Sequence, residues 1–146
     1  MQENKTPPHG RYLGVDYGDK RTGLAVSDVN GFLAGAIGKI TPGGMKNTAV
    51  AVAEEARRQG AVRIIVGLPK NMDGSEGFRA EAVRAFVALL AAETDRPIVL
   101  SDERLSTCEA HRYIQAGGKK RKEVVDTLSA QIILQDYLDA ERNKTR

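Results

Sequence analysis

The sequence predicts an α/β fold: a mixed five-stranded sheet, three antiparallel strands followed by two parallel ones, flanked by helices. Three observations point there. Residues 11–40 hold three alternating apolar stretches separated by turns short enough for hairpins. From residue 45 onward, helical periodicity alternates with short continuous apolar runs, as in strands covered on both faces. The length of 146 residues, 41% hydrophobic and 28% charged, suits one domain with a core that needs no staple.

The elements follow in order. Arg11 to Tyr17 alternates through Leu13 and Val15, and Gly18-Asp19-Lys20-Arg21 is a turn. Thr22 to Asp28 alternates through Leu24 and Val26, Asp28-Val29-Asn30-Gly31 turns again, and Phe32 to Ile40 is the third strand. Thr41-Pro42-Gly43-Gly44 breaks the pattern. Met45, Ala49, Val52, Ala53 and Ala56 recur at helical spacing up to Gly60, a natural C-terminal stop. Val62 to Val66 is a buried strand ended by Gly67-Leu68-Pro69, and a loop from Lys70 to Gly74 follows. A second helix uses Ala82, Val83, Phe86, Val87 and Leu90, and Pro97 to Leu100 is another short buried strand. Ser106-Thr107-Cys108-Glu109 fits a capping box, so a third helix begins there and stops at Gly117-Gly118. The last helix takes Val125, Leu128, Ile132 and Leu138 as its core stripe. Residues 1–10 read as a flexible tail, 11–141 as the single domain and 142–146 as a frayed end.

Composition narrows the function less than order does. No apolar stretch approaches the roughly 18 residues of a membrane span, and the polar start is no secretory signal. A single cysteine, Cys108, excludes an intramolecular disulfide or a cysteine-based zinc cluster and suits a reducing cytoplasm. Cys108 lacks a His-Asp arrangement beside it, and neither His9 nor His111 sits where a metal ligand is expected. The 22 basic and 19 acidic residues give a formal charge of +3, a weak pointer to polyanions.

Three carboxylates fall at element ends. Asp16 lies near the end of the first strand, Glu103 directly follows the last strand, and Asp126 opens the last helix inside an apolar stretch. A lone charge in apolar surroundings is costly unless paired or metal-bound. Three carboxylates brought together raise one another's pKa unless a cation neutralises them. Oxygen-only ligands favour Mg²⁺ or Mn²⁺, and two such ions about 4 Å apart can drive phosphodiester cleavage. Singly, each acid also has a structural reading. Asp16 could end a hairpin, Asp126 could favour a helix dipole, and Glu103 could pair with Arg104 or Arg112.

Four blocks, GVDYGDKRTGLAVSD (14–28), VGLPKNMDGSEG (66–77), SDERLSTCEA (101–110) and VDTLSAQIILQDYLD (125–139), occur in that order. In these the chain resembles the YqgF family of pre-16S rRNA nucleases, also described as Holliday junction resolvases, from Tyr12 to Leu138. The resemblance implies an RNase H-like fold and a hydrolase: a metal-dependent endonuclease with Asp16, Glu103 and Asp126 as catalytic and metal-binding acids and Mg²⁺ or Mn²⁺ as cofactor. It implies 5′-end maturation of pre-16S rRNA in ribosome biogenesis, with Holliday junction resolution on branched DNA as the alternative. Implied partners are precursor rRNA or branched DNA and ribosomal precursor particles, in the cytoplasm and away from membranes, with a homodimer as a candidate assembly. Related resolvases of the RuvC type commonly have a second acid one turn after the last. Ser129 holds that place here, so a four-acid site is not supported.

Candidate nucleic-acid contacts are Lys20 and Arg21 in the first turn, Lys70 and Asn71 in the loop after residue 69, Arg104, and the run Lys119, Lys120, Arg121 and Lys122. Each also has a plain reading as a solvated charge, a turn residue or an ion-pair partner. Aromatics are only 5% of the chain and Trp is absent, so recognition by shape and phosphates is expected over base stacking. Two other classes compete. A nucleotide-handling enzyme of the actin and sugar-kinase superfold needs two such domains, and the length supplies one. A non-catalytic nucleic-acid-binding module would tend to lack the three acids.

Overall fold

The computed structural model describes residues 10–41, 43–103 and 121–144, the side chains of 121–127 excepted. Five strands, β1 (Arg11–Asp16), β2 (Thr22–Ser27), β3 (Ala34–Ile40), β4 (Ala61–Leu68) and β5 (Ile98–Asp102), form one sheet in the order β3-β2-β1-β4-β5. The β1–β2 and β2–β3 pairs are antiparallel, and the β1–β4 and β4–β5 pairs parallel, as the turn lengths predict. Helices α1 (Met45–Gln59) and α2 (Phe78–Ala91) are the crossovers, and α3 (Arg121–Lys144) is the last element. Of the tail expected over residues 1–10, Gly10 is described and its N–H donates to the Val29 carbonyl at 3.3 Å, while residues 1–9 and the helix expected from Ser106 lie outside the described residues.

Side-chain alternation sends each strand's residues to two cores. Leu13, Val15, Ile64, Val66 and Leu68 pack under α1 and α2 with Val52, Ala53 and Phe86. Tyr12, Ala25 and Ile65 face α3 and meet Ala130, Ile133, Leu134, Tyr137 and Leu138. The α3 stripe thus differs from the expected one: Leu138 belongs to it, but Ile132 and Leu128 are only half-buried. Leu128, Ile132, Ile133, Leu134 and Leu138 put apolar residues around much of the helix, and packing on the sheet selects among them. Gly14 is what lets α3 approach: a Cβ there would lie 2.7 Å from Leu134 Cβ and 3.1 Å from the Ala130 carbonyl oxygen.

Other boundaries shift for local reasons. β3 starts at Ala34, not Phe32, because the Asp28 carboxylate accepts the Phe32 and Leu33 N–H groups at 2.8 and 2.9 Å and holds them in the turn. β5 is half-buried rather than buried, as an edge strand with one neighbour. The frayed end expected from 142 is helical to Lys144; Arg142 donates to the Gly31 and Phe32 carbonyls and pairs with Asp139. Along the β3 edge, Gln131 Nε2 donates to the Ala34 carbonyl, and Gln135 Oε1 accepts the Ala34 N–H at 2.9 Å. These glutamines satisfy backbone groups at the start of the edge strand. No helix among the described residues is long and apolar enough to cross a membrane.

Candidate functional site

β1, β4 and β5 are parallel, so their C-terminal ends share one edge of the sheet. Asp16, the loop after Leu68, and Asp102-Glu103 therefore gather there, beside the β1–β2 turn that carries Lys20 and Arg21. Strand register sets the spacing. Val15 pairs with Val66 and Gly67 pairs with Ser101, so Asp16 flanks Gly67 on one side and β5 runs into Glu103 on the other. The Glu103 N–H donates to the Leu68 carbonyl at 3.2 Å, extending the ladder by one bond and fixing the residue's backbone.

The Glu103 side chain folds back over β4. A Cβ on Gly67 would lie 2.8 Å from Glu103 Oε1 and 2.5 Å from Ile133 Cδ1, so only glycine leaves room for the carboxylate between strand and helix. Glu103 is 4% exposed in that position. Burial is the main reason its carboxyl is pushed up to about 8; the nearby Asp16 charge adds to this, Asp102 adds less, and Arg79 opposes it. Glu103 and Asp16 are therefore close enough to repel, and little water reaches Glu103 to screen that repulsion. A divalent cation would relieve both burial and repulsion, and the donors are all carboxylate oxygens, so the residues fit Mg²⁺ or Mn²⁺.

Asp126 belongs to α3, whose path is given by its packing. Tyr137 packs on Tyr12, with ring centroids 6.0 Å apart, while Leu134 and Ala130 close on Gly14. Moving along β1 toward Asp16 is thus moving along α3 toward its N-terminus, and position 126 is one turn before Ala130. The expectation that Asp126 opens the helix is corrected: α3 begins at Arg121, so Asp126 is in its second turn. The Asp126 side chain lies outside the described ones. Ser129, at the place of a fourth acid, is buried.

The expected phosphate-binding residues divide. Lys20 and Asn71 are exposed, Arg21 and Lys70 half-buried, all at the carboxylate end. Asn71 is also part of the loop's own frame: its N–H donates to the Ser75 carbonyl at 2.9 Å and its amide to Ser75 Oγ at 2.9 Å. Arg84 clamps Glu76 through two hydrogen bonds of 2.9 and 2.8 Å, tying the loop to α2. Arg104, Lys119 and Lys120 lie outside the described residues, as do the Arg121 and Lys122 side chains, although those two positions are helical. Sequence reasoning missed Arg79, whose charge reaches Glu103. The available signal was a cation in the first turn of a helix, where the dipole disfavours it and an acidic neighbour is needed. A cavity of about 460 Å³ beside Arg57 and Arg96 opens at the opposite end of the sheet, away from this chemistry.

Comparison with known proteins adds identity to geometry. The family model described as RuvX, Holliday junction resolvase, matches residues 10–140. A Pelotomaculum thermopropionicum protein named pre-16S rRNA nuclease is 39% identical over 140 residues, covering 93% of this chain and 91% of the relative. A relative of the same name from Caldanaerobacter subterraneus subsp. tengcongensis is 41% identical over 137 residues, covering 91% and 99%. Among solved structures, Thermus thermophilus RuvC in complex with a Holliday junction substrate superposes with TM-score 0.59 at 15% identity, covering 92% of this chain and 97% of that one. The fowlpox virus Holliday junction resolvase gives 0.53 at 14% identity, covering 89% and 98%. At such identities these structures share the fold, which is RNase H-like.

Proposed function

Because the chain belongs to the RuvX family, we propose that it is a divalent-metal-dependent endonuclease acting at the Asp16–Glu103 end of the sheet, with Asp126 as the third acid. The observation that carries the reading is Glu103, a carboxylate buried beside Asp16 and Gly67 and raised to about 8, a poor arrangement for stability and a good one for a cation. The relatives' names favour precursor 16S rRNA as the substrate, and in this reading the cut matures its 5′ end with ribosomal precursor particles as the partner; branched DNA is the second substrate, favoured by the family model's description. A second copy of the chain is a further candidate partner.

Asp16, Glu103 and Asp126 would hold Mg²⁺ or Mn²⁺, which when bound lowers the pKa of water and offsets charge on the phosphate. The remaining work falls to the chain. The β4–β5 ladder and the glycine at 67 fix Glu103, so its carboxylate need not reorganise as charge develops. Lys20, Arg21 and Lys70 bring the substrate backbone to the strand ends, and Arg79 tempers the acids' repulsion of that polyanion. Asn71 sits in a preorganised loop from which its side-chain carbonyl can accept from a sugar hydroxyl or an amino group. Arg104 and the run 119–122 complete the basic surface in this reading.

Single-turnover cleavage of a precursor rRNA fragment and of a four-way DNA junction, with Mg²⁺, Mn²⁺ or EDTA, tests the proposal. Metal-dependent cleavage of either supports it and names the substrate; cleavage of neither rejects it. Neutralising Lys119, Lys120, Arg121 and Lys122 together is expected to weaken binding and to lower the salt slope by about 0.7–0.9 for each phosphate that is no longer neutralised. An unchanged slope would make the run a solvated segment only.

A further inference from the structure

A cavity of about 160 Å³ lies beside the carboxylates, between the β1–β2 turn and the first turn of α2. Tyr17 forms one wall, with its ring stacked on buried Phe86 at 4.4 Å and 17° and so held rigid. Phe78 also lines the cavity and is 79% exposed, although it is a large apolar side chain. Arg79, exposed, and Asp19 stand at the rim. Nothing in the packing of α2 needs Phe78 outside, since Ala80, Val83, Phe86 and Leu90 form the buried side. Resting on the nuclease reading above, we infer that this cavity takes one unpaired nucleobase of the substrate strand, stacked on Phe78.

Placement supports that occupant. Tyr17 directly follows Asp16, so cavity and carboxylate sit on opposite faces of one strand end, with Cα atoms about 3.8 Å apart. A strand whose phosphate meets Asp16 can turn one base across the strand end into the cavity. Arg79 supplies a cation for the flanking phosphate, and Asp19 a carboxylate acceptor for a base amino group. A base in a duplex cannot reach such a site, so the cavity selects substrates with an unpaired nucleotide next to the scissile bond. One exposed ring fits the scarcity of aromatics: the site reads one base, and the phosphates supply the rest of the affinity.

The chain has no tryptophan, so Phe78→Trp places a lone tryptophan, excited selectively over the tyrosines at the long-wavelength edge of its absorption, on the cavity wall. In EDTA, a short single-stranded RNA or DNA is expected to quench it. The same oligonucleotide with abasic residues, equal in charge, and a blunt duplex are not. Phe78→Ala is expected to weaken single-strand binding about tenfold or more, the loss of one stacked base. Phe32→Ala, an exposed ring at the opposite end of the sheet, is expected to leave binding unchanged. Equal quenching by abasic strands, or wild-type binding by Phe78→Ala, overturns the proposal. These readouts need no cleavage, so they fail or succeed apart from the nuclease reading.

Discussion

Asp16→Asn, Glu103→Gln and Asp126→Asn are each expected to lose about 10³-fold or more in single-turnover cleavage, about 4 kcal/mol of transition-state stabilisation, while nucleic-acid binding persists. Each amide keeps shape and hydrogen-bonding reach but removes the charge that holds a divalent ion. The basic residues are untouched, so the phosphates are still held. Binding by Asp16→Asn and Asp126→Asn is expected to tighten slightly, because one carboxylate charge fewer repels the polyanion, whereas Glu103→Gln replaces a carboxyl that already favours its neutral form and leaves that repulsion nearly unchanged. Folding survives for different reasons at the three positions. Asp16 is at a strand end, and the Glu103 carboxyl already favours its neutral form. Asp126 sits inside α3, where Asn and Asp have similar helix propensity. Undiminished cleavage by any one variant would remove that acid from the mechanism.

Glu103 also has a signature without substrate. Its carboxyl stands at about 8 in the fold against an ordinary value of 4.5. Between these values the unfolded chain has lost the proton and the folded chain keeps it, so the metal-free fold loses stability as pH rises through that window. The loss is on the order of a few kcal/mol, or several degrees in Tm. Mg²⁺ is expected to restore stability at pH 8 and to do little at pH 5, where protons occupy the carboxyl. Glu103→Gln is expected to flatten the metal-free pH profile and to lose most of the Mg²⁺ response. Urea or thermal unfolding at the two pH values, with EDTA or Mg²⁺, reads all of this. A wild-type profile flat between pH 5 and 8 would mean that Glu103 is ionised and solvated in the fold.

Strand alternation and short turns were enough to read β1 to β3 and their antiparallel order, and breakers plus helical spacing located α1, α2 and the parallel strands. The element ends also marked Asp16 and Glu103 as neighbours, since parallel strands must finish at the same edge. Other features depend on tertiary packing that periodicity does not encode. Ile133 rather than Ile132 faces the sheet because the close approach at Gly14 sets the rotation of α3. Gly67 reads as a strand terminator in sequence; only the fold shows the Glu103 carboxylate occupying the space where its side chain would be. Phe78 stands one turn before Ala82 of the stripe read for the second helix, and its 79% exposure becomes visible only when α2 is docked.

Whether Asp16, Glu103 and Asp126 share a divalent-metal centre is measured most directly by anomalous diffraction from crystals grown with Mn²⁺. Manganese peaks are expected at the C-terminal ends of β1 and β5, bounded by those three carboxylates and absent in Asp16→Asn. Manganese peaks elsewhere, or none at that edge in crystals of protein that cleaves in Mn²⁺, would contradict a shared centre.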